Sequence, residues 1–191
     1  LKGTGNSSET IWFDTWISGY HFVFLGGEAA GLHADLSNAQ LAWLEETLAK
    51  DRVEGRPTFL FLHQGLMDTV AGTFKYQNWH GVKQSAQLRR ILRQYPEVVL
   101  FSGHSHWTME SAHTVKPADG SLPSVVSTAS CAYLWDDSCI ATNVGIVGSE
   151  GYYIYLYENC LIIRGRSFDR GEWIGSAQFI LPLPTSGGTE T

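Results

Sequence analysis

Two short apolar runs, each closed by histidine, constrain this chain more than anything else in it. Phe59-Leu60-Phe61-Leu62 ends at His63, and Val98-Val99-Leu100-Phe101 ends at Ser102-Gly103-His104-Ser105-His106. A strand that alternates apolar and polar residues leaves one face to water, whereas an unbroken apolar run needs both faces covered. Between the runs, Leu88, Ile91, Leu92 and Tyr95 fall on one face of a helix predicted over residues 82–95, which Pro96 stops. The order is strand, helix, strand, and a crossover of that kind joins parallel strands with a right-handed turn almost without exception. Neighbouring strands lie ~4.8 Å apart, and sites form at the carboxyl ends of such sheets. His63 and His104 are therefore expected to meet there and share one ion. Gly103 is expected to let the backbone turn sharply, so that His104 and His106 aim at two different points. Neutral imidazole suits zinc, iron, manganese or nickel, and three histidines do not single one out.

The 191 residues, 43% of them hydrophobic, are enough for one folded unit with a sizeable core. A formal net charge of −6 with no basic run argues against a nucleic-acid footprint or an anionic membrane surface, which leaves a small or polar substrate as the expected partner. No apolar segment is long enough to span a membrane. The chain starts at Leu1 and reads as a piece of a longer protein. Cys131, Cys139 and Cys160 lack a Cys-x-x-Cys spacing, and they are expected to be mostly buried thiols, with a Cys131–Cys139 disulfide as the alternative.

Along the chain, residues 1–10 read as a polar tail, and residues 11–25 as two strands around Ser18-Gly19, a hairpin. His21 is expected to be a packed or surface residue with no acidic partner, and His33 a surface histidine in a Gly/Ala-rich loop. Ser37 with Gln40 forms a capping box for a helix through about Lys50, with Leu41, Leu44 and Leu48 buried and Glu45 and Glu46 on its solvated face. Residues 67–81 make a long connection after His63 that carries Phe74, Tyr76, Trp79 and His80. Loops this long are usually functional or disordered, and Trp79 and His80 are the candidate substrate-binding residues, the alternative being aromatics that simply pin the loop to the body. A strand containing His113 is predicted within residues 107–116 and another over 123–128. Residues 129–143 read as irregular, with Asp136 and Asp137 not tied to the histidines, and residues 182–191 as a linker-like tail after a domain over 1–181.

The pattern of His63 followed by Gly103-His104-x-His106 resembles the C-terminal half of the calcineurin-like metallophosphoesterases. The elements that follow are similar too: Tyr152 to Asn159, Leu161 to Phe168, then Gly171-Glu172-Trp173. The resemblance implies an α/β fold, half of an α/β/β/α sandwich with mixed sheets and flanking helices. It implies a centre of two metal ions, manganese, iron or zinc, in which His63 and His104 bind one ion and His106 the other. Such a pair clamps the phosphoryl oxygens and activates water for hydrolysis of a phosphomonoester or phosphodiester. The family's upstream Asp-x-His, Gly-Asp-x-x-Asp and Gly-Asn-His motifs are absent; Gly5-Asn6 continues with Ser7, and His63 continues with Gln64-Gly65. The missing carboxylates must then come from an N-terminal half or a second copy that also covers the open sheet face. The chain alone is expected to be inactive and supplies no assigned catalytic residue. The alternative is a non-catalytic binding or structural module. A metallo-β-lactamase pattern fails because His106 is followed by Trp107-Thr108-Met109, and an amidohydrolase barrel would need many more βα units.

Overall fold

The computed structural model describes residues 10–50, 52–53, 55–77 and 80–183. The chain opens with a hairpin, β1 (Phe13–Ile17) and β2 (Tyr20–Leu25), turned by Ser18 and Gly19, both at positive φ. Helix α1 (Asn38–Lys50) carries the chain to β3 (Thr58–Leu62), and α2 (Ser85–Leu92) carries it on to β4 (Val98–Ser102). β5 (Val115–Lys116), β6 (Ser124–Ser127) and the single-turn α3 (Cys139–Thr142) follow. The chain then forms β7 (Glu150–Leu156), β8 (Cys160–Ser167) and β9 (Glu172–Pro182).

The strands make a mixed six-stranded sheet, ordered β1-β2-β3-β4-β6-β5, and an antiparallel three-stranded sheet, β7-β8-β9. β2, β3, β4 and β6 run parallel, with an antiparallel strand at each edge. The fold is thus α/β with mixed sheets and a few helices, and the two histidine-bearing strands are parallel neighbours in register from Thr58↔Val98 to Phe61↔Phe101.

The two faces of the large sheet differ in chemistry. Leu60, Leu62, Val98, Leu100 and Val125 meet Leu41, Leu44 and Leu48 of α1 and Leu88, Ile91 and Leu92 of α2 in an aliphatic core. Removing such side chains from water is worth ~1.5–3 kcal/mol each. On the opposite face Phe59, Val99, Phe101 and Val126 pack against Leu161, Ile163 and Leu181 of the small sheet. The small sheet leaves the hairpin end of that face partly open. There Phe13, Phe24, Phe61 and Phe101 stack in sequence across four strands, 4.6, 4.9 and 5.3 Å between rings, and Phe13 is 43% exposed. The outer face of the small sheet exposes Tyr153, Tyr155 and Ile180.

Several local expectations change. α2 spans fewer residues than the 82–95 predicted, although Tyr95 is buried beyond its end. Only Val115–Lys116 of residues 107–116 is strand, and His113 sits at φ +64° in a turn. Ser37 does cap α1, its Oγ accepting from Gln40 N–H at 3.1 Å, but the Gln40 amide turns away to donate to Gly26 O and Glu28. His21 is packed as expected, 2% exposed and stacked on Trp16, yet it has an acidic partner: Asp14 across the hairpin lies 2.9 Å from its Nε2. The diagonal neighbour of a strand pair is invisible to spacing along one strand. The three thiols are free, and only Cys139 is buried, while Cys131 is exposed. Pro182 pairs with Cys160 as the last residue of β9, and Leu183 is buried just beyond it, its N–H donating to Asn159 O at 2.9 Å; the rest of the predicted tail, with residues 1–9, lies outside the described residues. No helix among the described residues is long and apolar enough to cross a membrane.

Candidate metal centre

The parallel register puts the ends of β3 and β4 side by side. Gly103 N–H donates to His63 O at 3.0 Å, which extends the ladder one step past the strands. The His63 and His104 rings meet edge to face, 5.1 Å between centroids. His63 is exposed at the carboxyl edge beside Phe24, Phe61 and Phe101.

The turn that aims the histidines is made by the histidines themselves. Gly103 is not left-handed; His104 (φ +63°) and His106 (φ +56°) are. Ser105 N–H donates to Gly103 O at 2.7 Å, closing a three-residue γ-turn around His104, the rarer kind with positive φ at its centre. Histidine tolerates this region better than most residues, but each such residue still costs ~1–3 kcal/mol. The surrounding packing holds them. Gly72, at φ +78°, brings the 67–81 loop so close that a Cβ there would lie 2.4 Å from Ser105 Cβ and 2.8 Å from Trp107 Cε3. On the other side Trp135 N–H donates to His106 O and Thr108 N–H to Trp135 O, both 2.8 Å.

Burial pushes the His104 imidazole down to about 4, with the neighbouring His63, His80, His106 and His33 adding to the effect. Burial also lowers His106, partly offset by a hydrogen bond with the Tyr133 backbone. His106 Nδ1 is buried without a hydrogen-bond partner. A neutral ring with an unengaged nitrogen has the lone pair that metal binding needs, as at His106, so these imidazoles are candidate members of a donor set. They do not complete one: among the described residues no three or more His, Cys, Asp or Glu side chains are arranged to hold an ion.

His104 and His106 border a pocket of about 320 Å³. His80 lines it as well, its ring 5.3 Å from that of His33, whose Nδ1 accepts from Gly81 N–H at 3.2 Å. His33 is thus half-buried at the edge of the cluster rather than a plain surface residue. Trp79 lies outside the described residues. Phe74 stacks on Tyr76 and meets His113 edge-on, away from the pocket lining.

The residues missed by sequence reasoning come from 129–143, which packs directly on the histidine loop. Tyr133 lies 4.4 Å from the His106 ring, and Tyr133, Trp135 and Asn143 line the pocket. Asp137 accepts from Gln77 Nε2 at 2.7 Å, and Asp136 caps Ser138 and Cys139 N–H. The only sequence signal was the aromatic content of an otherwise irregular stretch. Behind this loop, Glu150 is 2% exposed and accepts from Met109 N–H at 2.7 Å and from the Thr108 hydroxyl at 3.2 Å; burial raises its carboxyl above the ordinary value.

No protein-family model matches the chain, and no curated protein matches it.

Proposed function

We propose that this chain is the histidine-bearing half of a metallophosphoesterase domain and acts in hydrolysis of a phosphate ester. The observation that carries this is the meeting of His63 and His104 from neighbouring parallel strands, 5.1 Å ring to ring, with His106 one left-handed step further on. His63 and His104 would hold one ion and His106 a second, with manganese, iron or zinc all suited to imidazole. Bound metal would supply charge to orient the phosphoryl group and activate water. In the net step a water oxygen forms the new bond to phosphorus, the ester bond breaks, and the leaving oxygen takes a proton. His80 lines the same pocket and, with Trp79, is proposed to bind the substrate. The remaining ligands, carboxylates above all, would come from a preceding polypeptide or a second copy; the half-open Phe13, Phe24 and Phe61 face is where it would pack.

A non-catalytic module is the second reading, favoured by the lack of a complete donor set among the described residues. One experiment separates the two. The chain assembled with the polypeptide that precedes it should bind two metal ions and hydrolyse a nitrophenyl phosphate ester. His104→Ala in that assembly should lower metal retention and activity by more than about 100-fold, beyond what loss of an outer-shell partner causes, while the fold persists. Full activity in the variant, or metal held stoichiometrically at residues far from the cluster, overturns the proposal.

A further inference from the structure

We infer that the ester handled at this site carries a single phosphoryl group on a planar, uncharged ring, and that Tyr133 and Trp135 recognise the ring. This rests on the phosphoesterase proposal and names its substrate class. The lining is of two kinds, imidazoles at His80, His104 and His106 and aromatic rings at Trp107, Tyr133 and Trp135, and the two meet where Tyr133 lies 4.4 Å from the His106 ring. None of the described lining residues is Lys, Arg, Asp or Glu. Away from the proposed ions a second phosphate would find no Arg or Lys of this chain, the side chains that recognise phosphate without a metal.

Beside the histidines the polar lining side chains are Gln77, Ser105, Asn143 and the Tyr133 hydroxyl. Gln77 lines the pocket, but its Oε1 accepts from Gly72 N–H at 2.8 Å and its Nε2 donates to Asp137 at 2.7 Å, so both ends of the amide are engaged. A long acyl chain does not suit about 320 Å³, near the lower bound for small-molecule sites. One ring does, and a ring face against phenol and indole gains ~0.5–1.5 kcal/mol beyond its area.

The pair of Tyr133 and Trp135 is also built to stay in place. Leu134 and Ile146 exchange backbone hydrogen bonds (2.8 and 2.7 Å), and Trp135 is tied to His106 O, so the chain on either side of Leu134 is fixed. Gly145 sits directly behind: a Cβ there would lie 2.8 Å from Tyr133 Cδ2 and 3.3 Å from Trp135 Nε1. A side chain at that position would push the aromatic pair, which gives a second handle on the site. Tyr133 itself is 48% exposed, so its ring can be removed without opening the core.

The test uses the assembly described above, loaded with manganese, and reads quenching of tryptophan fluorescence by non-hydrolysable probes. Phenylphosphonate should bind at least about tenfold more tightly than methylphosphonate, and Tyr133→Ala should weaken phenylphosphonate about fivefold with methylphosphonate unchanged. Gly145→Ala should do the same to a smaller extent. A nucleoside 5′-monophosphate run in parallel supports the site if it too outbinds methylphosphonate, and the tighter of the two rings assigns the source as nucleobase or simple aryl group. Equal affinity for phenylphosphonate and methylphosphonate overturns the ring site and leaves the phosphoesterase proposal standing. Phenol binding as tightly as phenylphosphonate overturns both, because the ring site would then have no link to phosphate.

Discussion

The two walls of the pocket are held by different means. His104 and His106 follow the end of β4, a strand buried on both faces, and lie four and six residues beyond Leu100 of the aliphatic core. Tyr133 and Trp135 belong to irregular backbone about thirty residues later, tied down by Trp135 N–H to His106 O, by the Leu134–Ile146 pair and by Glu150, whose N–H donates to Ser130 O while its buried carboxylate holds Thr108 and Met109 just beyond His106. A site can thus join a wall whose stability is that of the whole domain to one whose stability is local.

That contrast can be broken from either side. The largest effect is expected from Leu100→Ala, which empties a side chain that is 1% exposed at the centre of β4 and should cost ~2–5 kcal/mol in urea denaturation. A loss below about 1 kcal/mol would mean that the histidine wall does not lean on this core. Next comes Glu150→Ala, which orphans Met109 N–H and the Thr108 hydroxyl and should cost ~1–3 kcal/mol. Amide hydrogen exchange should quicken at Met109 and Trp135 and stay slow in β4.

Glu150→Gln sharpens the same point through pH. Burial raises the native carboxyl above its ordinary value of 4.5, so the native state holds the proton more tightly than the unfolded chain. Stability from this group is full below 4.5 and is lost as pH rises through the raised native value. The glutamine variant, which keeps an acceptor and never ionises, should therefore gain on the wild type as pH rises through that window. The smallest effect is expected from Gly103→Ala, below about 0.5 kcal/mol, because the added methyl would meet Thr128 Oγ1 at 3.5 Å and His63 Nδ1 at 3.6 Å with no left-handed φ to oppose it. A cost of 2 kcal/mol or more would return the turn to the glycine.

The histidine wall was legible in the sequence and the aromatic wall was not. Apolar runs, a helical stripe at Leu88, Ile91 and Leu92, and the crossover rule suffice to place His63 next to His104, since each step depends on local periodicity. The γ-turn at His104 escaped because the sequence offers Gly103 as the obvious flexible residue, while the actual geometry is imposed by Gly72 and Trp135 from distant loops. Residues 129–143 have no period at all. Their placement is decided by the Trp135 to His106 hydrogen bond, the Leu134 to Ile146 bridge and the buried Glu150, which are contacts between segments rather than properties of one. His33 was misplaced for the same reason: its partner Gly81 lies 48 positions away.

The left-handed backbone at His104 and His106 bears on what selection can do with this loop. Glycine at either position would relax ~1 kcal/mol or more of backbone strain. One route toward a more stable fold therefore runs through the loss of these two imidazoles. A library of variants enriched only for folding should replace both with glycine or asparagine, and a library enriched for ligand capture should keep them. Positions kept only in the second library would mark where the demand on this chain is something other than folding.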